Sequence, residues 1–466
     1  MPEPRTPVSR PSTSRPSTPG PSTPGPTTPG PTTPGPGPAG AARPTGLARP
    51  ADPSRSPDLS RRAFAVGLGG LGLAALAAPL LGPLSAVRAA ASPAASGVAS
   101  PAADRWRRRA LDGYAALQRH LYLPGTGLYS EGLDPAPGEN PYSFVWPLRE
   151  ATAATVDVDR LPGSGGRFTG DVADRFAGLE RYWDTGRGAY ASYPPAPLGG
   201  GGDPFFDDNA VIGLELVRRY RMSGDRELLR RAQRVFEFLP RAWDTDPDVE
   251  HPGGMHWVEA DWNPYRGAAN VTSLASELAV HLYEETGEAR YLDWGRRTYE
   301  WVRAALHRGD GRYANGILLD GSVEETLWSY NSGSMVGAAT LLHRATGERR
   351  YLDLATADAA GAVDHWVRGD RLYDQPVVFN AILFANLLLF ESISAAHGAD
   401  VLDGMGRYAE RVWAENRDPA TGLFRFQSGG GGAPAPDARP QTLHQAGAIQ
   451  LFALLAWRRQ DYGDAA

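Results

Sequence analysis

The chain has no cysteine and, read along its 466 residues, no lysine, so all 47 basic side chains are arginine. Without lysine there is no Schiff base, no pyridoxal-phosphate anchor and no P-loop lysine. Without cysteine there is no thiol nucleophile, no disulfide framework, no thiolate metal site and no lipid-anchor cysteine. The nine histidines are scattered, and no pair stands at metal-ligand spacing within a helix. The acidic run Asp244-Thr245-Asp246-Pro247-Asp248 reads as a solvated loop in preference to a calcium site. No metal and no cofactor is expected. Runs that alternate at period two for long enough to make a sheet are missing as well.

Proline is plentiful but uneven, with 18 of the 41 in the first 60 residues. Residues 1–59 read as a Pro-rich disordered leader, because such composition buries no core. Ser60-Arg61-Arg62-Ala63-Phe64 precedes an apolar stretch from Ala65 to Val87, interrupted by Pro79 and Pro83 and followed by Ala89-Ala90-Ala91. Residues 60–100 therefore read as a twin-arginine export signal and linker, not a stable membrane anchor. The long leader points to a start codon further downstream. That route exports folded protein, so a secreted or envelope-associated location is expected. Charge divides at the same place: residues 1–100 hold nine Arg against three acids, and the remainder 38 Arg against 50 acids. An acidic mature chain is a poor partner for nucleic acid or anionic lipid, and a neutral ligand suits it better.

Residues 101–466 repeat one unit about every 60 residues, which makes six units. One marker is a turn glycine, at Gly224, Gly287, Gly347 and Gly398, each reading as a helix C-cap. A second is a glycine leading to an aromatic, as in Gly127-Leu128-Tyr129, Gly188-Ala189-Tyr190, Gly311-Arg312-Tyr313 and Gly422-Leu423-Phe424. Twelve helical segments follow, at roughly 104–122, 142–158, 169–183, 204–222, 226–240, 270–285, 290–306, 331–345, 350–366, 378–396, 400–415 and 441–458. Those near 212, 278, 338, 387 and 450 are apolar or small nearly all round, as buried helices are. Those near 232, 297 and 358 carry charge on one face. Short turns run from the first kind to the second, and long aromatic loops run back. The expected fold is all-α, an (α/α)6 barrel with six inner helices ringed by six outer ones. The long loops and the N-termini of the inner helices then share one end, where a site belongs.

At that end Gly199-Gly200-Gly201-Gly202 leads into Asp203-Pro204-Phe205-Phe206-Asp207-Asp208-Asn209. Asp203 reads as N-cap and Pro204 as the first helical residue, which puts Asp207 and Asp208 in the opening turn of an inner helix. Two neighbouring carboxyls do not both ionise easily, so one keeps a proton beside a charged partner. That arrangement suits a retaining glycosidase, whose carboxyls stand about 5 Å apart. From the pair alone other readings stay open. Asp207 could simply serve the helix dipole with Asp208 on the surface. A magnesium-binding diphosphate motif is disfavoured because Val211 and Ile212 stand where a further acid is needed. The loops add Trp146, Trp183, Tyr190, Tyr193, Trp243, Trp257, Trp262, Tyr265, Tyr313, Trp328 and Tyr330, with amides at Asn263, Asn270, Asn315 and Asn331. Rings for sugar faces and amides for hydroxyls make a sugar cleft.

Phe206-Asp207-Asp208-Asn209-Ala210 resembles the aromatic-Asp-Asp motif of glycoside hydrolase family 76, the endo-α-1,6-mannanases. Gly253-Gly254-Met255-His256-Trp257, Asn270-Val271-Thr272, Tyr330-Asn331-Ser332-Gly333 and Gln445-Ala446 are similar to further motifs of that family, in the same order. The resemblance implies the (α/α)6 barrel reached independently above. It also implies Asp207 as nucleophile and Asp208 as general acid/base, cleaving α-1,6-linked mannan with retention. Trp146, Trp257, Asn270, Tyr330 and Asn331 would line the sugar subsites. A monomer acting on a polysaccharide is expected. Val211, Trp146-Pro147-Leu148-Arg149 and Ala385 depart from the family pattern and bear on the shape of the cleft. Two alternatives accompany this reading. One is a barrel hydrolase of unsaturated uronosides, which would need cleft arginines such as Arg187, Arg241 or Arg266. The other is a non-catalytic glycan-binding protein, which would have lost one of the two acids.

Overall fold

In the computed structural model of the protein, residues 100–427 and 432–466 are described. The expected leader and export signal lie outside those residues. Twelve α-helices form where the apolar periodicity puts them. They are α1 (Pro101–His120), α2 (Val145–Asp159), α3 (Thr169–Leu179), α4 (Phe206–Ser223), α5 (Arg226–Phe238) and α6 (Ala269–Thr286). Then come α7 (Ala289–Leu306), α8 (Ser329–Thr346), α9 (Arg349–Ala362), α10 (Val377–Ile393), α11 (Gly398–Arg411) and α12 (Thr442–Ala456).

The even-numbered helices are buried along nearly their whole length; in α6, for instance, every residue from Ala269 to Leu282 is buried. Each packs on the next even helix, and α12 packs on α2, so the six close into an inner ring. The odd-numbered helices lie outside it. Among them α5 buries only Ala232, Val235, Phe236 and Phe238 and leaves Arg226, Arg230 and Arg234 exposed. α1 backs α12 and completes the outer ring. The circle is sealed by backbone contacts from both ends of the described chain. Thr442 donates its N–H to the Glu131 carbonyl (2.9 Å) and Leu133 donates to the Pro440 carbonyl (2.9 Å).

Small residues let the inner helices approach closely. A Cβ on Gly333 of α8 would stand 2.7 Å from the Leu383 Cα of α10, and one on Gly447 of α12 would stand 2.8 Å from the Val378 backbone. The barrel axis is not dry hydrocarbon. Glu150, Glu215, Glu277, Asn331, Asn386 and Gln450 project from the inner helices and are buried.

The turn glycines hold at three of four expected places. Gly224, Gly287 and Gly347 take the left-handed conformation (φ 73°, 71° and 71°) that ends α4, α6 and α8. Gly398 does not: α10 stops earlier, at Ile393, and Gly398 is the first residue of α11. Small sheets, which the sequence pattern did not suggest, are present. Two are two-residue hairpins, β1 (Tyr122–Leu123) with β2 (Leu128–Tyr129) and β3 (Trp183–Asp184) with β4 (Ala189–Tyr190). The third is an antiparallel sheet in the order β5 (Tyr265–Ala268), β6 (Ala314–Leu318), β7 (Val323–Leu327). These strands are two to five residues long, too short for a period-two pattern to register. No helix among the described residues is long and apolar enough to cross a membrane.

Candidate active site

The N-termini of α4, α6, α8 and α10 meet at the long-loop end, and Asp207 and Asp208 occupy the first turn of α4. The local fold differs from the expected cap. Phe205, not Asp203, is the N-cap residue, and it makes no side-chain cap bond. Its extended backbone pairs with Val258, and the Phe206 N–H donates to the Trp257 carbonyl (2.9 Å). Asp203 is drawn outward by Arg187 (3.4 Å) and by the Trp262 indole N–H (3.1 Å). Asn209 anchors this turn to the neighbouring strand. Its buried amide donates to the Phe205 carbonyl (2.8 Å) and the Tyr190 carbonyl (3.0 Å) and accepts from the Tyr190 N–H (2.8 Å). Asn209 thus locks the first turn of α4 to β4, and with it the direction of both aspartates.

The two carboxyls sit in different environments. Asp207 is held by three donors: the Trp257 indole N–H (2.9 Å) and the Asn270 amide (2.7 Å) on Oδ2, and the Asp208 backbone N–H (3.0 Å) on Oδ1. Among the described residues, nothing hydrogen-bonds the Asp208 carboxyl. Both side chains keep partial access to solvent while recessed among protein atoms, as expected at the floor of a cleft. Burial raises the Asp207 pKa to about 6, with its three donors pulling the other way. Burial raises Asp208 further, and the charges of Asp207 and Glu150 add to it. Of the two, Asp207 is therefore the more readily ionised, and Asp208 is the one that keeps its proton to higher pH.

Of the other expected residues, Trp257 and Asn270 touch Asp207 directly. Trp146 stacks on Phe379 (6.0 Å between ring centroids). Tyr330, itself buried, stacks on the same ring (4.0 Å), and Trp328 meets it edge-on. Asn331 does not reach the cleft surface. It is fully buried, and both polar atoms of its amide lack a hydrogen-bond partner among the described residues. Its side chain points away from Tyr330, because successive helical residues diverge by about 100°, and Tyr330 itself is buried against Phe379.

Three features escaped the sequence reading. Glu150, fully buried in α2, accepts from the Trp146 indole (3.0 Å), Arg149 (2.7 Å) and Gln450 (2.9 Å). Arg149 continues the chain to Glu215 (3.5 Å), Glu215 reaches Arg218 (3.6 Å), and Arg218 pairs with Asp157. The signal available was charge at 149, 150, 157 and 159 in a helix of otherwise uncharged residues. Phe379, the centre of the aromatic wall, carried no motif. On the three-stranded sheet, Glu324 accepts from the Tyr265 hydroxyl (2.6 Å) and the Asn315 amide. The arginines that a uronate would need are engaged: Arg187 and Arg241 with Glu259, and Arg266 with Asp244 and Asp246. At the far end of the barrel a shallow pocket of about 540 Å³ is lined by Arg221, Glu284, Glu285 and Arg344. Its charges are paired with one another.

The arrangement is a hydrogen-bonded carboxyl beside one without hydrogen-bond donors, with aromatic rings grouped nearby. Residues 125–423 match the family model for glycosyl hydrolase family 76. A segment of 124 residues is 29% identical to the mannan endo-1,6-alpha-mannosidase DCW1 of Saccharomyces cerevisiae, covering 25% of this chain and 27% of that one. The Candida glabrata protein of the same name is 28% identical over 155 residues, 30% of this chain and 34% of that one. The matches span between 27% and 40% of the length of such curated relatives. A family 76 mannosidase from Bacteroides thetaiotaomicron VPI-5482 superposes with a TM-score of 0.66 at 22% identity, covering 76% of this chain and 98% of that chain. An α-1,6-mannanase of Salegentibacter sp. HEL1_6, inactivated by Asp-to-Asn changes at two adjacent positions and bound to α-1,6-mannotriose, superposes at 0.60 with 20% identity. That superposition covers 75% of this chain and 99% of the other.

Proposed function

The chain belongs to glycosyl hydrolase family 76, and from that premise we propose that it hydrolyses α-1,6-linked mannan with Asp207 and Asp208 as its catalytic pair. The observation that carries this reading is the asymmetry of the two neighbouring carboxyls. Asp207 accepts three N–H donors, which favour its charged form, whereas Asp208 has none and faces the charges of Asp207 and Glu150. A nucleophile and an acid are thereby separated on adjacent residues. The relatives named for mannan endo-1,6-mannosidase activity, and the mannanase inactivated at two adjacent aspartates, support the same assignment.

In the first step an Asp207 oxygen bonds to the anomeric carbon while the glycosidic C–O bond breaks and the Asp208 proton moves to the leaving oxygen. In the second, Asp208 takes a proton from water as that water's oxygen bonds to the anomeric carbon, and the Asp207 ester bond breaks. The sugar keeps its anomeric configuration and Asp208 regains its proton. Trp257 and Asn270 fix the nucleophile, and the partly exposed ring of Trp146 offers a face to the sugars, backed by Phe379 and the buried Tyr330. The uronoside alternative gains no support, since Arg187, Arg241 and Arg266 are neutralised by acids. The twin-arginine segment supports export to the cell envelope or beyond, where mannan is met. Incubation with linear α-1,6-mannan should release oligomannosides, and Asp207→Asn should abolish release. A wild-type protein inert on every mannan would refute the reading.

A further inference from the structure

Among the described residues, four large hydrophobic side chains are exposed, and Trp262 is the one aromatic among them, at 53%. A solvated indole is ordinarily free to change rotamer. This one is fastened. Its N–H donates to Asp203 Oδ2 (3.1 Å), and its ring packs against Phe205 (5.8 Å, 60°) and edge-on against Trp257 (6.2 Å, 87°). The loop that carries it is cross-braced by the buried Asn263. That side chain accepts from the Trp257 N–H (2.9 Å) and donates to the Tyr265 carbonyl (2.6 Å), tying both ends of the loop together. The same loop is joined to the start of α4 through the Phe206 N–H and the Glu259 N–H. Trp262 is therefore held in register with Asp207, with Trp257 as the single ring between them.

We propose that Trp262 is a distal sugar platform, which grips a hexose of the chain beyond those that flank the bond being cut. The proposal rests on the glycan reading of the site and adds a position to it. A sugar presents an apolar C–H face that stacks on a ring and hydroxyls that need acceptors. Trp262 supplies the ring. Asp203 and Glu259, both partly exposed on the same rim though each is paired with Arg187, place carboxylate oxygens beside it. A protein partner fits worse. One indole offers roughly 150–250 Å², far short of the roughly 800 Å² per side that a stable protein interface uses. Because Trp262 stands one ring outward from the residue that touches the nucleophile, its contribution depends on chain length. Substrates long enough to reach it gain affinity, and shorter ones are indifferent to it. Its contact precedes the chemistry and persists through it, so it acts on KM and leaves kcat alone.

The experiment compares wild type, Trp262→Ala and Trp262→Phe on linear α-1,6-mannan and on the shortest α-1,6-oligomannoside that wild type cleaves. The expected result is a roughly 3- to 10-fold higher KM on the polymer for Trp262→Ala with kcat kept. Both constants should be unchanged on the short substrate, and Trp262→Phe should recover most of the polymer KM. The unchanged short-substrate rate shows that the variant is folded. Equal losses on both substrates, or no change on either, would overturn the platform while leaving the catalytic assignment standing. A wild type that cleaves no mannan would overturn both.

Discussion

Removing the Asn270 amide is the sharpest perturbation of the proposed nucleophile, Asp207, that leaves its carboxyl in place. Asn270 donates to Asp207 Oδ2 at 2.7 Å, and Asn270→Ala deletes that donor while the Trp257 indole and the Asp208 N–H remain. A hydrogen bond to a charged group contributes about 1.5–3 kcal/mol, and each pKa unit corresponds to about 1.36 kcal/mol. Losing it should raise the Asp207 pKa by about 1 to 2 units from its present position near 6. The direction follows from the charge state required. Asp207 must be ionised to attack, and the lost donor favoured the ionised form, so the protonated form persists to higher pH. The acidic limb of kcat/KM, which reports the free enzyme, should move upward by about 1 to 2 pH units. At a pH below both limbs the variant should be about 10- to 100-fold less active than wild type, with the two converging above the new limb. The assay is reducing-sugar release from α-1,6-mannan across pH. An acidic limb that stays put in Asn270→Ala would refute the claim that these donors set the charge of Asp207.

Two further outcomes follow from neighbouring contacts. Glu150→Gln removes a charge that helps keep Asp208 protonated, so the alkaline limb of the same profile should move to lower pH while the acidic limb holds. Gly333→Ala drives a Cβ to within 2.7 Å of the Leu383 backbone across the α8–α10 contact. Overpacking of that kind costs about 1–3 kcal/mol, which denaturant titration followed by circular dichroism should register as a lower midpoint at unchanged slope.

How much of this was legible in the sequence depends on the range of the interactions involved. The inner helices could be read because burial on all sides leaves no polar face, as in Val377–Phe390, and the outer ones because a single apolar stripe remains. The acid pair was legible because a turn glycine tract, a proline and two aspartates sit together in the chain. What could not be read was decided by distant partners. Asp203 has the composition of an N-cap, but Arg187 and Trp262, 16 and 59 residues away in the chain, compete for its carboxylate. Glu150 acquires its significance from Gln450, 300 residues on. Asn331 shares a motif with Tyr330 but not its direction, since neighbours on a helix point apart. Gly398 follows the repeat in composition, yet α10 ends before reaching it and gives it to the next helix.

The central claim is that Asp207 bonds covalently to the sugar while Asp208 manages the proton. The most direct test is to trap that bond with a fluorinated α-mannosyl donor, which slows the second step more than the first, and to map the adduct by mass spectrometry of the proteolysed enzyme. The account predicts one mannosyl group per chain, carried by the peptide that contains Asp207, and none in Asp207→Asn. Turnover of mannan with no adduct and with an inverted anomer as first product, or an adduct on any other residue, would contradict it.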